Sequence, residues 1–282
     1  MDGREGTETL DHHIAPFDSA GLARTILAET GGASSDLALV LGSGLGGLAD
    51  RVERRWERLG GELPGYPVST VVGHAGRLIL GTLSGRATWV VQGRVHLYEG
   101  YTPEEVTRYV RLLHALGVRT LVLTNAAGSL DATAAAPGEV VLCRDAVNLF
   151  FRCLARPAHD LPWRARSSLS SPELCGIATE TAREAGICLR PGVLAASSGP
   201  SYESAAEVRA WRLLGGTVAS MSTVPEALAA RELGMRRLVF SLVTNLGTGL
   251  SPNPLTHEDV VVEADRAGAK LQGLLEILLP RL

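Results

Sequence analysis

A glycine-rich segment near the N-terminus has residue types that could bind an anion. Residues 42–47 read GSGLGG and follow the apolar run LALVL, which predicts a buried strand that ends in a tight turn. Ser43 lies between two glycines of this turn, where its hydroxyl and the neighbouring backbone N–H groups could hold a single phosphate. A tight turn without any ligand is the plain alternative.

The same turn matches the G-x-G-x-x-G spacing of a dinucleotide-binding site, through Gly42, Gly44 and Gly47. Such a site needs an acidic residue about twenty positions further on, at the end of a second strand. Glu62 has that offset, but its surroundings, GGELPGYP, are typical of a proline- and glycine-rich loop. A nicotinamide enzyme is therefore the weaker hypothesis.

Two further segments carry side chains suited to phosphate. Arg94 and His96 alternate in GRVH, so an extended chain directs both toward the same side. A planar guanidinium can hold a phosphate through two parallel hydrogen bonds, and an imidazole can donate another. His74 lies near the tip of the loop STVVGHAG, residues 69–76. Each residue alone is more often structural than functional, so it is their combination that predicts a phosphate site.

Apolar runs of strand length alternate with helical patterns along the chain. Residues 77–93 predict a hairpin that turns at Ser84 and Gly85. Residues 102–117 predict a helix that begins with a capping box at Thr102. The alternation predicts a single-domain α/β fold, with a mixed, largely parallel sheet covered by helices on both faces. Ligands of such sheets bind at the carboxyl ends of the strands, where these polar turns follow.

Length and composition limit the possible classes of protein. The 282 residues include 45% hydrophobic residues and carry a net charge of −3, which suits one large domain and does not indicate a nucleic-acid partner. No apolar run is long enough to span a membrane, and the polar N-terminus has no signal segment, so we expect a cytoplasmic protein. The domain is expected to span residues 1–282, with residues 1–17 as a disordered lead-in and no regular structure at 149–172.

Motifs spread over roughly residues 37–262 resemble, in order, those of the trimeric class of purine nucleoside phosphorylases. They are LGSGLG, STVVGHAGRL, QGRVHLYEGY, TNAAGS, GPSYES, SMSTVPE, FSLVTN and LTHEDV. The resemblance implies the nucleoside phosphorylase fold, a homotrimer, and no metal or organic cofactor. It also implies reversible cleavage of purine nucleosides by inorganic phosphate to the free base and ribose 1-phosphate, as in purine salvage. The chain would then be a pentosyltransferase.

The resemblance assigns roles to individual residues. The positions that match the family's phosphate site are Ser43, His74, Arg94, His96, Ser222 and the backbone around Ala126. The positions that match its nucleoside site are Tyr98 and His257 at the sugar hydroxyls, Met221 under the ribose, Tyr202 beside the base, and Glu203 and Asn245 on the purine. Among these residues, Asn245, Glu203 and His96 are expected to be catalytic.

The chemistry of the departing base agrees with these roles. Phosphate is itself an anionic nucleophile, so the difficult step is the departure of a purine that gains negative charge. Asn245 can donate to N7 of that purine, and losing one such donor typically costs about 2.7–4 kcal/mol. An ionised Glu203 can accept from N1–H and a 2-amino group, whereas adenine has no N1–H. We therefore expect 6-oxopurine (deoxy)ribonucleosides such as inosine and guanosine as substrates.

Each assignment has a structural alternative. Glu203 could be an acidic residue favoured at a helix start, and Asn245 could be a turn former. Tyr98 could be an ordinary tyrosine at the edge of the core, and Met221 could simply fill the core. We favour the functional roles over these structural alternatives. The retained phosphate residues also argue for an active enzyme rather than a nucleoside-binding relative, because a protein that only binds nucleosides does not need a phosphate site.

The chain departs from the family pattern in one segment and at single positions such as Ser220, which stands where a glycine is usual. The family's F-G-x-R-F-x-x-M pattern is absent from residues 149–172. There the family lends an aromatic side chain to the neighbouring subunit's sugar pocket, and Phe150, Phe151 and Trp163 are candidates to replace it. Two alternatives therefore stay open: a relative that acts on a sugar-modified nucleoside, and a non-catalytic nucleoside-binding protein.

Overall fold

The structure is a computed structural model that describes residues 17–69, 76–150, 168–251 and 257–282, with the backbone alone at 257–267. The predicted lead-in, apart from Phe17, lies outside the described residues. His74 and most of the segment 149–172, including Phe151 and Trp163, also lie outside them.

The described residues form strands and helices that alternate along most of the chain. The strands are β1 (Leu37–Leu41), β2 (Glu53–Leu59), β3 (Arg77–Leu83), β4 (Arg86–Gln92), β5 (Thr120–Ser129), β6 (Val140–Asn148), β7 (Leu189–Ala196), β8 (Val218–Ser220) and β9 (Arg236–Leu246). The α-helices are α1 (Ser19–Glu29), α2 (Pro103–Val106), α3 (Arg108–Ala115), α4 (Pro172–Glu184), α5 (Ala205–Leu213), α6 (Val224–Glu232) and α7 (His257–Leu278). None of the described helices is both long and apolar enough to cross a lipid bilayer.

These strands form one mixed sheet, in the order β2-β3-β4-β1-β5-β8-β7-β6-β9. Because β5 also pairs with β9, the strands β5, β8, β7, β6 and β9 close into a ring. β1 is parallel to both of its neighbours, β4 and β5. The strands β2, β3 and β4 pair antiparallel, and β2 forms one edge of the sheet. The predicted α/β class with a mixed sheet is confirmed.

The side chains of β1 show that helices cover both faces of the sheet. Ala38 and Val40 pack in a core cluster with residues of α1, α3 and α6. Leu37, Leu39 and Leu41 pack in a second cluster with residues of α4 and α7. Successive side chains of a strand point to opposite faces, so a strand between two helical layers must be apolar at every position. The run LALVL meets that requirement.

The predicted hairpin is confirmed, and it places the segment GRVH. β3 and β4 pair along their whole length and turn at Ser84 and Gly85. Both turn residues have positive φ angles, 51° and 77°, as a type I′ turn requires. β4 ends at Gln92, so Arg94 follows the strand by two residues.

The predicted helix at 102–117 is interrupted in the structure at Thr107, which separates α2 from α3. The Thr107 hydroxyl donates to the carbonyls of Pro103 and Glu104, at 2.9 and 3.0 Å. Local hydrogen bonds of this kind compete with those of the helix, which explains the break. The predicted capping box at Thr102 is present.

The strand β2 was not predicted from the sequence. In β2 the sequence ERRWERL is mostly charged, and only Trp56 is buried. Charged side chains are typical of an edge strand, where they prevent pairing with other chains, and they hide the apolar alternation by which strands are recognised.

Replacing Gly42 by alanine is expected to destabilise the fold. A Cβ atom there would lie 2.7 Å from the carbonyl oxygen of Thr124 and 2.8 Å from Cα of Asn125, both backbone atoms of a central strand. Overpacking of this kind costs about 1–3 kcal/mol in free energy of unfolding, so Tm in thermal denaturation should fall. Gly47→Ala is the control, because a Cβ atom there meets no atom within 4 Å. Equal Tm values for the two variants would contradict the close approach of β1 to β5.

Candidate functional site

One cavity brings together most of the residues singled out by the sequence. It is lined by the segments that follow β1, β4, β7 and β8, together with residues of β5 and β9. The predicted residues that line it are Ser43, Arg94, His96, Tyr98, Ala126, Tyr202, Glu203, Met221, Ser222 and Asn245. His257 begins α7 but has no described side chain, and His74 lies outside the described residues.

Sequence reasoning missed several residues of this cavity. Asn125 and Thr244 lie beside predicted positions in the motifs TNAAGS and FSLVTN, so the motifs were the available signal. Trp211 comes from α5, where its helical spacing carries no functional signal. Phe150, a candidate for lending its ring to a neighbouring subunit, instead packs in the core of its own chain with 7% of its surface exposed.

The glycine-rich turn after β1 is held by backbone contacts. The Gly42 N–H donates to the Thr124 hydroxyl at 3.0 Å, and that hydroxyl donates to the Val40 carbonyl at 2.8 Å. Gly44 has a φ of 76°, which favours glycine. A Cβ on Gly268 of α7 would lie 2.6 Å from the Gly44 carbonyl oxygen, so the helix packs directly on the turn. These contacts fix the serine between the two glycines at the cavity.

The described residues form neither a dinucleotide site nor a metal site. After the turn the chain forms a 3-10 turn, Gly46–Arg51, rather than an α-helix whose N-terminus could face a pyrophosphate. Glu62, at the expected acidic offset, instead accepts a hydrogen bond from the Leu59 N–H at 2.8 Å. Across the described ranges, no three His, Cys, Asp or Glu side chains are grouped to hold a metal ion.

Arg94 is buried and paired with a carboxylate. It is 4% exposed, and its Nη1 donates to Thr223 Oγ1 at 2.8 Å and to Glu226 Oε1 at 3.2 Å. Its Nη2 donates to the carbonyl of Thr124 in β5. These contacts fix the plane of the guanidinium, as the binding of an anion through parallel N–H bonds requires.

His96 is oriented by Glu99, three residues further along the chain. The Glu99 Oε1 atom lies 3.0 Å from His96 Nδ1 and accepts from the His96 backbone N–H at 2.7 Å. The imidazole stacks on the ring of Tyr98, with centroids 4.7 Å apart and 10° between planes. A carboxylate against Nδ1 stabilises a proton on that nitrogen and so determines how the ring is presented.

Glu203 is a buried carboxylate beside the start of α5. It is 8% exposed, and burial raises its pKa above the ordinary value of a glutamate. The capping box of α5 is formed by other residues, since the backbone N–H and hydroxyl of Ser204 donate to the Glu207 carboxylate at 2.7 and 2.8 Å. Capping of the helix therefore does not explain why Glu203 is in the cavity.

The amide of Asn245 is oriented by its chain neighbours. The Thr244 hydroxyl donates to Asn245 Oδ1 at 2.8 Å, and Asn245 Nδ2 donates to the Leu246 carbonyl at 3.0 Å. A Cβ on Gly128 would lie 3.0 Å from Asn245 Nδ2 and 3.7 Å from Glu203 Oε1. The amide and the carboxylate therefore border the same space, and the glycine leaves it open for a ligand to approach the backbone.

The chain is similar to known proteins along most of its length. The sequence profile described as the Phosphorylase superfamily matches residues 36–280. Purine nucleoside phosphorylase 1 of Geobacillus stearothermophilus is 39% identical over 251 residues, which cover 88% of this chain and 91% of the relative. The purine nucleoside phosphorylase of Mycobacterium leprae is 36% identical over 270 residues, 95% of this chain and 98% of the relative. The crystal structure of Schistosoma mansoni purine nucleoside phosphorylase in complex with adenosine has a TM-score of 0.84 at 31% identity, over 94% of this chain and 96% of that one.

The raised pKa of Glu203 predicts how stability depends on pH. A carboxyl whose pKa is higher in the folded state favours folding when protonated, and that stability is lost as pH rises through the folded pKa. Glu203→Gln, which is neutral at every pH, should therefore raise Tm relative to the wild type near about pH 8, and the gain should shrink toward about pH 4. Thermal denaturation across this range measures the difference.

Glu207→Gln is the matched control for this prediction. Hydrogen bonds from the backbone and side chain of Ser204 lower the pKa of Glu207, so its charge stabilises the folded state above the unfolded pKa. This variant should have a lower Tm than the wild type near neutral pH, with a difference that shrinks as pH falls. A Tm change of the same sign in both variants would contradict the buried state of Glu203.

Proposed function

We propose that this chain, which belongs to the phosphorylase superfamily, is a purine nucleoside phosphorylase that prefers 6-oxopurine nucleosides such as inosine and guanosine. As a pentosyltransferase, it would move ribose or deoxyribose reversibly between a purine and inorganic phosphate. One observation carries the proposal. A single cavity is lined both by anion-binding groups, among them Arg94, and by a carboxylate and an amide suited to a purine, Glu203 and Asn245.

The phosphate would bind among groups that donate hydrogen bonds. The candidates that line the cavity are Ser43, Arg94, His96, Ser222 and the backbone at Ala126. Glu99, whose carboxylate lies 3.0 Å from Nδ1, would hold the His96 imidazole in a fixed orientation toward the bound anion. His74 belongs to this proposed set through the resemblance alone.

Phosphate would act as the nucleophile at the anomeric carbon, through an oxocarbenium-like transition state. A phosphate oxygen forms the bond to C1′ while the bond from C1′ to N9 breaks, and the electron pair of that bond stays with the purine. Asn245 supports the departing base, because one N–H of its amide is engaged by the Leu246 carbonyl and the second can donate to N7. The departing purine is then protonated from solvent.

The sugar and the base would contact further side chains of the cavity. Burial raises the pKa of Tyr98 to about 12, so this hydroxyl keeps its proton and can donate to a sugar hydroxyl, as His257 is also proposed to do. Met221 would pack under the ribose. Tyr202, which is 41% exposed, would flank the base at the mouth of the cavity.

Selectivity among purines would come from Glu203. When ionised, its carboxylate accepts from the N1–H and from a 2-amino group of guanine, and from the N1–H of hypoxanthine. Neutral adenine presents an acceptor at N1, which would leave a buried carboxylate unpaired, and a site of this kind rejects the wrong base strongly. The buried position of Glu203 makes this penalty larger than it would be in water.

Three further features are part of the proposal, and the first two depend on the resemblance. Inorganic phosphate would be the co-substrate, with no metal or organic cofactor. The assembly would be a homotrimer, and the enzyme would act in the cytoplasm. The segment 149–172 keeps two alternatives open, a sugar-modified nucleoside as substrate or nucleoside binding without catalysis.

The first test is base release from inosine, guanosine and adenosine, with and without inorganic phosphate. We expect phosphate-dependent release of hypoxanthine and guanine and slow release of adenine, because only the 6-oxopurines satisfy Glu203. Chromatography of the free bases measures the rates. Release without phosphate would indicate a hydrolase, and no release from any of the three would favour the two alternatives.

Asn245→Asp should shift the preference toward adenosine. The added carboxylate oxygen accepts from the 6-amino group of adenine but repels the O6 atom of a 6-oxopurine, while the donor to N7 is lost for both bases. We expect the ratio of kcat/KM for inosine to that for adenosine to fall by about tenfold or more, the worth of one such hydrogen bond.

Asn148→Asp is the control for this substitution, because it adds the same charge at an exposed residue that does not line the cavity. It should leave the ratio unchanged. If Asn245→Asp lowers the rates for inosine and adenosine by the same factor, the role of Asn245 in reading the base is wrong.

A further inference from the structure

Glu226 is a buried carboxylate that has no role in the reaction described above. It lies in the first turn of α6 and is 2% exposed. Its Oε1 atom is 3.2 Å from Arg94 Nη1 and 3.5 Å from the hydroxyl of Tyr109. Removing a charge from water costs several kcal/mol, so a carboxylate at this depth calls for an explanation.

The hydrogen bonds around Thr223 link this ion pair to the cavity. Thr223 Oγ1 accepts from Arg94 Nη1 at 2.8 Å and from Asn125 Nδ2 at 3.0 Å. The Asn125 amide is held in that orientation because its Oδ1 accepts from the Ser241 hydroxyl at 2.9 Å. Since a guanidinium and an amide N–H can only donate, the proton of the Thr223 hydroxyl must point elsewhere.

The remaining neighbour of that hydroxyl is Ser222, whose Oγ lies 3.2 Å from Thr223 Oγ1. Ser222 therefore accepts from Thr223, and its own proton can be donated to a ligand in the cavity that it lines. Thr223 holds this position with a φ of 77°, a costly conformation for a β-branched residue. The surrounding contacts must compensate for that strain.

We propose that Thr223 and Glu226 are positioning residues for phosphate: Glu226 holds the guanidinium of Arg94, and Thr223 directs both Arg94 and the hydroxyl of Ser222 toward the anion. This inference rests on the proposed function, which supplies the phosphate. It adds to that function an account of how the phosphate is held. Because Glu226 balances the charge of Arg94, phosphate is bound chiefly by oriented hydrogen-bond donors rather than by an isolated cation.

The test is a comparison of Thr223→Val, Thr223→Ser and Glu226→Gln in the full chain. Initial rates are measured with phosphate varied at saturating inosine, and with inosine varied at saturating phosphate. Thr223→Val should raise KM for phosphate by about tenfold or more, while KM for inosine changes by less than about twofold. Thr223→Ser keeps the hydroxyl and should restore KM for phosphate to near the wild-type value.

Glu226→Gln tests the ion pair separately. Its amide oxygen can still accept from Arg94, but without charge, so we expect KM for phosphate to rise severalfold and less than in Thr223→Val. Calorimetric titration with inorganic phosphate alone should show the same order of affinities. If Thr223→Val does not fold, Glu226→Gln decides alone, and a KM for phosphate at or below the wild-type value would then overturn the inference.

Thr88→Val is the matched control for a purely structural loss. Thr88 is 0% exposed, and its hydroxyl donates to the Arg86 carbonyl at 3.0 Å, outside the cavity. It should lower Tm without changing either KM. If KM for phosphate is unchanged or lower in both Thr223→Val and Glu226→Gln, the inference is overturned. If the wild type itself shows no phosphate-dependent release, the proposed function fails instead.

Discussion

The candidate site depends on one buried cation, the guanidinium of Arg94. An unpaired charge at this depth would be strongly destabilising, so the fold must bring acceptors to it. It does so with the carbonyl of Thr124 in β5 and with Thr223 and Glu226 at the start of α6. The hydrogen bonds of this cation therefore fix the end of β4, the middle of β5 and the beginning of α6 relative to one another. The cavity is lined by residues of β5, of the segment that follows β4 and of the segment that precedes α6.

The cavity and its surroundings contain groups that would be unfavourable in a core that served stability alone. Glu203 is a carboxylate held away from water, Thr223 is a β-branched residue at positive φ, and Gly128 leaves a gap beside two polar groups. Perturbed carboxylates and strained backbone cluster at functional sites because binding requires preorganised groups. The proposed function would give these features a use, since phosphate and a purine would have to be held together.

The sequence was a better guide to the residues of the site than to some of the elements that carry them. Ten residues singled out in the motifs line the cavity, although Asn125 and Thr244 of the same motifs were missed. The strand β2 was not predicted, because its exposed, charged side chains conceal the strand pattern. The helix before β5 was predicted as continuous, whereas the hydroxyl of Thr107 interrupts it. Glu226 belongs to the motif SMSTVPE, but its partner Arg94 is 132 residues away in the chain. No local sequence pattern could therefore predict this ion pair.

The sequence by itself determined the features that depend on residues close to one another in the chain. The apolar run of β1, the turn at Ser84 and Gly85, and the capping box at Thr102 follow from backbone preferences and hydrogen bonds that reach only a few residues. Only the tertiary structure decided the closure of β5 onto β9, the gathering of separate strand ends around one cavity, and the acceptors of Arg94. These contacts join residues that are far apart in the chain, and each forms only when the packing of the whole sheet and its helices brings both partners to the same place.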